Sequence, residues 1–272
     1  MNQGNDGGAT NSASSVASVE TVGDIGVITL KNPAKRNALS HGMMHALTEA
    51  FARFAEANIR VAILRAEPGV KVWSAGHDIG ELPLGGMDPL GYADPMEETL
   101  RAIRMFPGPV IAMVQGSVWG GAFDLVLSCD MVFADETATF AITPVNIGLP
   151  YNTTGLLHFM GRLRLNVVKE LFFTAAPITA EVALKWGILN HLVPSAELET
   201  YTMDRARQMA AKAPLAMAVV KEQLRVLCDY QPIPAQVFER IQDMRRKVYE
   251  SADYREGIAA FKEKRPPVFK GE

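Results

Sequence analysis

The chain has 272 residues, 48% of them apolar and 21% charged, with a formal net charge of −3. That length buries a sizeable core without disulfides or bound metal, and it fits one large α/β domain or a core with a small appendage. The two cysteines, Cys129 and Cys228, are too few and too far apart for a disulfide scaffold, which points to a reducing cytoplasm; the acidic balance argues against nucleic acid or an anionic membrane as the main partner.

Residues 1–15 are rich in Gly, Asn, Ser and Ala and lack the basic and apolar blocks of a signal peptide, so residues 1–18 are expected to be a disordered leader. Residues 26–30 (Gly-Val-Ile-Thr-Leu) read as a strand closed by Asn32-Pro33. Ser40 is placed to cap a helix whose apolar residues Met43, Leu47, Phe51 and Phe54 recur at helical spacing. The continuous apolar runs 61–64 and 109–114 suit strands covered on both faces, and Val72–Ser74 is a shorter strand leading into glycines and prolines. The second run ends at Gly116 and passes through Gly120-Gly121 into a helical stretch, and residues 131–133 and 139–142 supply further strands. The most apolar segment, 110–123, contains Gln115 and several glycines and is too short and too polar to span a bilayer. After Pro150 the pattern turns helical. Val167, Val168, Leu171 and Phe172 fall on one helical period, Gly187 ends a later helix, Ser195 is expected to open another, and Pro214 suits a first helical turn. Pro234 precedes a long charged helical region running to Pro266-Pro267. An α/β core over 19–200 and a helical region over 201–272 follow, the latter too polar to form a core of its own.

Two loops carry the chemistry. One is Trp73-Ser74-Ala75-Gly76-His77-Asp78-Ile79, after a strand; the other is the Gln115 to Asp124 segment, where a strand passes into a helix. Bare N–H groups from two such turns can meet at one point, and a helix start adds unpaired donors and the positive end of its dipole. Taken alone, Gly-Gly before a helix is more often a tight turn, and the His77 loop more often a connector. The pair in this order changes that balance. His41, His45, His158 and His191 show no metal-ligand spacing and read as structural histidines.

The segments Ser74-Ala75-Gly76-His77-Asp78-Ile79 and Gly116-Ser117-Val118-Trp119-Gly120-Gly121-Ala122-Phe123-Asp124, with Ser128-Cys129-Asp130 and residues 174–180 (Thr-Ala-Ala-Pro-Ile-Thr-Ala), resemble the signature of the crotonase (enoyl-CoA hydratase/isomerase) superfamily, over 19–272. The resemblance implies an α/β spiral of repeated ββα units and a C-terminal helical region that joins subunits into a trimer or a pair of trimers. It also implies an acyl-CoA substrate, with no metal and no separate cofactor. By the same resemblance the backbone N–H groups of His77 and Gly121 form an oxyanion hole, Ala75, Gly76, His77, Asp78 and Ile79 line the CoA site, Thr143 and Tyr151 sit beside the acyl group and its carboxylate, and Lys264 approaches the nucleotide phosphates.

Hydration of an enoyl thioester needs two carboxylates to place water and shuttle a proton. Where the superfamily's hydratases carry a glutamate three residues after the oxyanion glycine, this chain has Asp124; where they carry the second, it has Val145 or Asn146. Decarboxylation of a malonyl-type thioester needs only the oxyanion hole, an oriented C–C bond and an apolar setting for the departing carboxylate. Phe123, Val145, Ile147 and Leu149 are expected to form that wall, and Tyr151 and Thr143 to supply hydrogen bonds. The resemblance, through residues 143–152 and Lys264-Arg265, is strongest to the branch that decarboxylates methylmalonyl-CoA to propionyl-CoA and CO₂. An enoyl-CoA hydratase or isomerase with an unusual acid, and a non-catalytic acyl-CoA-binding or scaffold homologue, are the competing readings; the acidic balance and the lack of basic–aromatic runs argue against RNA as a partner of the latter. The donor of the final proton stays open among His77, Tyr151 and water.

Overall fold

The computed structural model describes residues 12–13, 16–82, 91–229 and 232–272. Its strands are β1 (Ser12–Ala13), β2 (Ala17–Val22), β3 (Ile25–Leu30), β4 (Val61–Ala66), β5 (Val72–Ser74), β6 (Val110–Val114), β7 (Ser117–Trp119), β8 (Met131–Ala134), β9 (Thr139–Ala141), β10 (Ile178–Thr179) and β11 (His191–Leu192). The helices are α1 (His41–Glu56), α2 (Pro95–Met105), α3 (Gly121–Ser128), α4 (Thr153–Arg162), α5 (Leu165–Thr174), α6 (Ala180–Trp186), α7 (Leu198–Ala210), α8 (Pro214–Asp229), α9 (Ala235–Glu250) and α10 (Ala252–Glu263).

Two sheets share the strands. The larger runs β1-β2-β3-β4-β6-β8-β11 and the smaller β10-β9-β7-β5. From β4 onward the chain alternates between them: β4 then β5, β6 then β7, β8 then β9, with α2 and α3 closing the first two pairs. Each turn adds one parallel strand to each sheet, Ile63 beside Ile111 in one and Val118 beside Phe140 in the other. This is the ββα spiral expected above, and the burial of β4 and β6 explains their unbroken apolar runs. The Trp73 indole N–H donates to the Met113 carbonyl at 2.9 Å, tying a strand of the small sheet to one of the large.

Most of the leader lies outside the described residues. Two parts of it do not: β1 pairs antiparallel with β2 through Ser12 and Val19, and β2 starts at Ala17 and pairs antiparallel with β3, so the sheet begins inside the segment expected to be a leader. The boundary expected between 200 and 201 falls inside α7, which packs Leu198, Ala206 and Ala210 on the apolar outer face of the large sheet. Ser195 does not open that helix; its hydroxyl donates to Asp135 at 2.7 Å, and α7 starts three residues later. The charged region after Pro234 is two helices, because the Ser251 side chain caps a new start by accepting from the Tyr254 N–H at 3.0 Å. The sequence reading passed over α2 and α4. Among the described residues no helix is long and apolar enough to cross a membrane.

Candidate active site

The loop after β5 is held by hydrogen bonds that engage the amides on either side of His77. Ala75 N–H donates to Arg36 O at 2.9 Å, Gly76 N–H to Ser74 Oγ at 3.3 Å and Asp78 N–H to Leu39 O at 3.2 Å. Among the described residues the His77 N–H has no acceptor. Gly76 is fixed by φ +81°, and a Cβ there would lie 2.4 Å from the Trp119 carbonyl, so only glycine lets the two loops approach.

Across from it, Gly120 adopts φ 55°, ψ −125°, ahead of α3. Its N–H donates to Ala141 O at 2.9 Å, which leaves Gly121 as the first helical residue with an unpaired amide, the usual orphan of a helix start. A Cβ on Gly121 would stand 3.7 Å from the His77 nitrogen, and one on Gly76 would stand 3.0 Å from the Gly121 nitrogen. Both His77 and Gly121 line one cavity of about 670 Å³. Two close, unpaired donors at the positive end of a helix are suited to an oxygen that gains charge.

Of the residues expected at the site, Ala75, His77, Ile79, Gly121, Thr143 and Tyr151 line this cavity. Gly76 and Asp78 shape the loop but are not among its lining, and the Asp78 carboxylate caps the following turn by accepting from Gly80 N–H at 3.0 Å. Lys264 lies at the end of α10, also outside the lining. The apolar wall needs correction. Ile147 and Leu149 are in it, but Phe123 points into the core against Phe140 and Phe159, and Val145 is 48% exposed. Ile79, Leu82, Met96 and Leu100 take their places.

The opposite side is a buried acid network that the sequence reading missed. Asp124, in the first turn of α3, accepts from the Tyr151 hydroxyl at 3.1 Å and from His158 Nδ1 at 2.8 Å. Arg104 Nη1 lies 2.8 Å from His158 Nε2, and since a guanidinium only donates, Nε2 accepts and the ring proton sits on Nδ1. Burial pulls the His158 pKa down, but the Asp124 charge and hydrogen bond lift it above its ordinary value; a second proton would nevertheless have to displace Arg104. Burial and Asp124 together hold the Tyr151 phenol well above its ordinary range, so it is a neutral donor. Burial lowers the pKa of His77, against the pull of Asp94, and its Nδ1 has no partner among the described residues.

Glu97, on α2, completes the wall at 4% exposure. Its Oε1 accepts from the Asn152 side-chain amide, whose own oxygen caps α4 by accepting from Gly155 N–H at 3.0 Å. Burial first and the Asp124 charge second raise the Glu97 pKa. The cavity therefore does hold two carboxylates: Asp124, at the first of the two positions where a hydratase pair was sought, and Glu97, which comes from a different element than the second. A signal was present: Asp94-Pro95-Met96-Glu97-Glu98 is a helix start, with a capping Asp, Pro at the first position and acids in the first turn.

Residues 20–272 match the family described as enoyl-CoA hydratase/isomerase. The chain is 51% identical to the methylmalonyl-CoA decarboxylase of Escherichia coli (strain K12), covering 93% of this chain and 97% of that one. It is 36% identical to a carnitinyl-CoA dehydratase of Salmonella agona (strain SL483), over 92% and 96%. A solved structure of a methylmalonyl-CoA decarboxylase in complex with 2-nitronate-propionyl-CoA superposes with a TM-score of 0.94 at 50% identity, covering 96% of this chain and all of that one.

Proposed function

The chain belongs to the enoyl-CoA hydratase/isomerase family, and on that premise we propose that it is a carboxy-lyase that converts methylmalonyl-CoA to propionyl-CoA and CO₂. The observation that carries the reading is the pair of unpaired amides, His77 and Gly121, opening on a largely apolar cavity. With the thioester oxygen on those amides and the C–C bond perpendicular to the thioester plane, the bonding pair flows into the carbonyl as CO₂ leaves. The amides stabilise the enolate more than the ground state, which is what lowers the barrier. Ile79, Leu82, Met96, Leu100, Ile147 and Leu149 exclude water around the departing carboxylate. The step as written needs no metal and no cofactor beyond the thioester's own carbonyl.

Thr143 is the better placed of the two expected carboxylate partners. Its hydroxyl has no partner among the described residues, whereas the Tyr151 hydroxyl is already given to Asp124. Tyr151 therefore orients the substrate only by exchanging that bond, and otherwise braces Asp124. We assign the 75–79 loop to the thioester and pantetheine end of the ligand, and Lys264 to the nucleotide phosphates. Self-association into a trimer fits α8, none of whose residues is buried and on which Leu215, Val219, Val220, Leu224 and Leu227 are all exposed. The free thiols Cys129 and Cys228 suit a reducing cytoplasm.

The presence of Glu97 beside Asp124 favours a second reading, hydration of an enoyl thioester. Against it, both Asp124 oxygens are already engaged by Tyr151 and His158, leaving no matched pair to grip a water. Mass spectrometry decides between the two. Methylmalonyl-CoA should yield propionyl-CoA while crotonyl-CoA keeps its enoyl absorbance; inert methylmalonyl-CoA with consumed crotonyl-CoA reverses the assignment.

A further inference from the structure

Decarboxylation leaves an enolate whose α-carbon must be protonated, and the cavity offers few acids. The Tyr151 proton is committed to Asp124 on a phenol that burial makes a weak acid, and both Asp124 oxygens are acceptors. His77 has its unpaired main-chain amide on the thioester side, and burial keeps its ring below its ordinary pKa. Thr143 is an alcohol. Glu97 remains.

The position of Glu97 is unusual in a second respect. Glu97 and Asn152 line the catalytic cavity and also a second, larger hollow of about 1110 Å³, whose walls include Arg101, Arg104, Arg225 and Arg245. The two residues thus form a shared wall between the cavity and this arginine-lined hollow. Asn152 holds one carboxyl oxygen, Oε1, and among the described residues Oε2 has no partner.

We propose that Glu97 is the acid that protonates the enolate α-carbon, recharged with solvent protons through the arginine-lined hollow behind it. The assignment rests on the decarboxylase reading. As CO₂ departs, the C–C pair becomes the enolate; the Oε2–H proton is then transferred, the enolate pair forms the new C–H bond, and the charge stays on Glu97. Proton uptake from solvent restores the acid, so each turnover consumes one solvent proton. Burial and the neighbouring Asp124 charge favour the protonated form of Glu97, opposed by the Asn152 hydrogen bond, His158 and Arg101, and a carboxyl pair whose members differ in this way divides the acid and acceptor roles.

The test is run in D₂O on the full-length protein. The native enzyme should exchange an α-hydrogen of propionyl-CoA for deuterium and should convert methylmalonyl-CoA to product deuterated in a single configuration. Glu97→Gln should slow the exchange by roughly 10²-fold or more while propionyl-CoA binding changes little, and the product should carry deuterium in both configurations as water takes over delivery. Glu97→Asp should keep one configuration at a reduced rate. Native-rate, single-configuration exchange in a folded Gln variant overturns the proposal. If that variant does not fold, a folded Asp variant with undiminished exchange does the same. If the native enzyme leaves methylmalonyl-CoA untouched yet shows Glu97-dependent exchange with propionyl-CoA, the substrate reading fails while the acid assignment stands.

Discussion

The two sides of the catalytic cavity are made of different materials. The thioester side is main chain: two amides, positioned by glycines whose backbone angles or close contacts no other residue tolerates. The far side is side chain: Glu97 from α2, Asp124 from α3, and Tyr151, Asn152 and His158 around the start of α4, joined by hydrogen bonds across 27 to 55 positions of sequence. The first is rigid because the fold is. The second is rigid only while each partner is present, so damage there should reach stability as well as rate.

Gly121→Pro gives the sharpest test of that contrast. Proline is accepted at a first helical position, so the helix is spared, but the substitution removes one N–H and puts ring carbons where the thioester oxygen would sit, a Cβ there standing 3.7 Å from the His77 nitrogen. A loss of roughly 10²–10³ in kcat, about 3–4 kcal/mol of barrier, is expected with the circular dichroism spectrum and melting curve near native. Asp124→Asn should instead lower both. It removes the charged acceptor shared by Tyr151 and His158, and urea denaturation should report about 2–3 kcal/mol of lost stability alongside reduced turnover. A variant of this kind with slowed chemistry and unchanged unfolding would erase the distinction between the two walls.

How the sequence revealed each side follows the same division. Main-chain sites leave a local trace, because glycines must stand where a carbonyl or ligand approaches; Gly76, Gly120 and Gly121 could be found by inspection. A side-chain network has no such trace. Nothing near Asp124 announces His158, and Glu97 was lost with α2, whose start signal was overshadowed by the preceding glycines and prolines. The central strands were legible because β4 and β6, buried on both faces, carry unbroken apolar runs, while their arrangement as a spiral came from the resemblance; β11 is two residues long and carries no periodicity of its own.

Smaller effects refine the comparison. Tyr151→Phe deletes one hydrogen bond to a buried carboxylate and should cost about 1.5 kcal/mol in urea unfolding, less than Asp124→Asn because His158 still holds the other oxygen. The Glu97 carboxyl should add a pH slope. Its pKa in the folded protein is raised above 4.5, so the native state keeps a proton that the unfolded chain has released, and stability falls as pH climbs from about that value through the folded one. Glu97→Gln should lack this decline, so its melting temperature relative to native rises over that window; parallel curves would contradict the burial-driven shift. The smallest change is expected from Lys264→Ala, which should raise KM for the CoA ester by roughly two- to fivefold at low salt and less at high salt, with kcat unchanged.

One contact outside the two amide-bearing loops links the chain's end to the choice of acyl group. A Cβ on Gly257 would lie 2.2 Å from the Ile147 carbonyl, so α10 rests directly on the backbone that carries Ile147 and Leu149 into the cavity. Position 257 works as a shim. Thickening it by a single carbon forces that backbone to shift, redrawing the room left for a substrate's branch while every residue that meets the substrate stays the same.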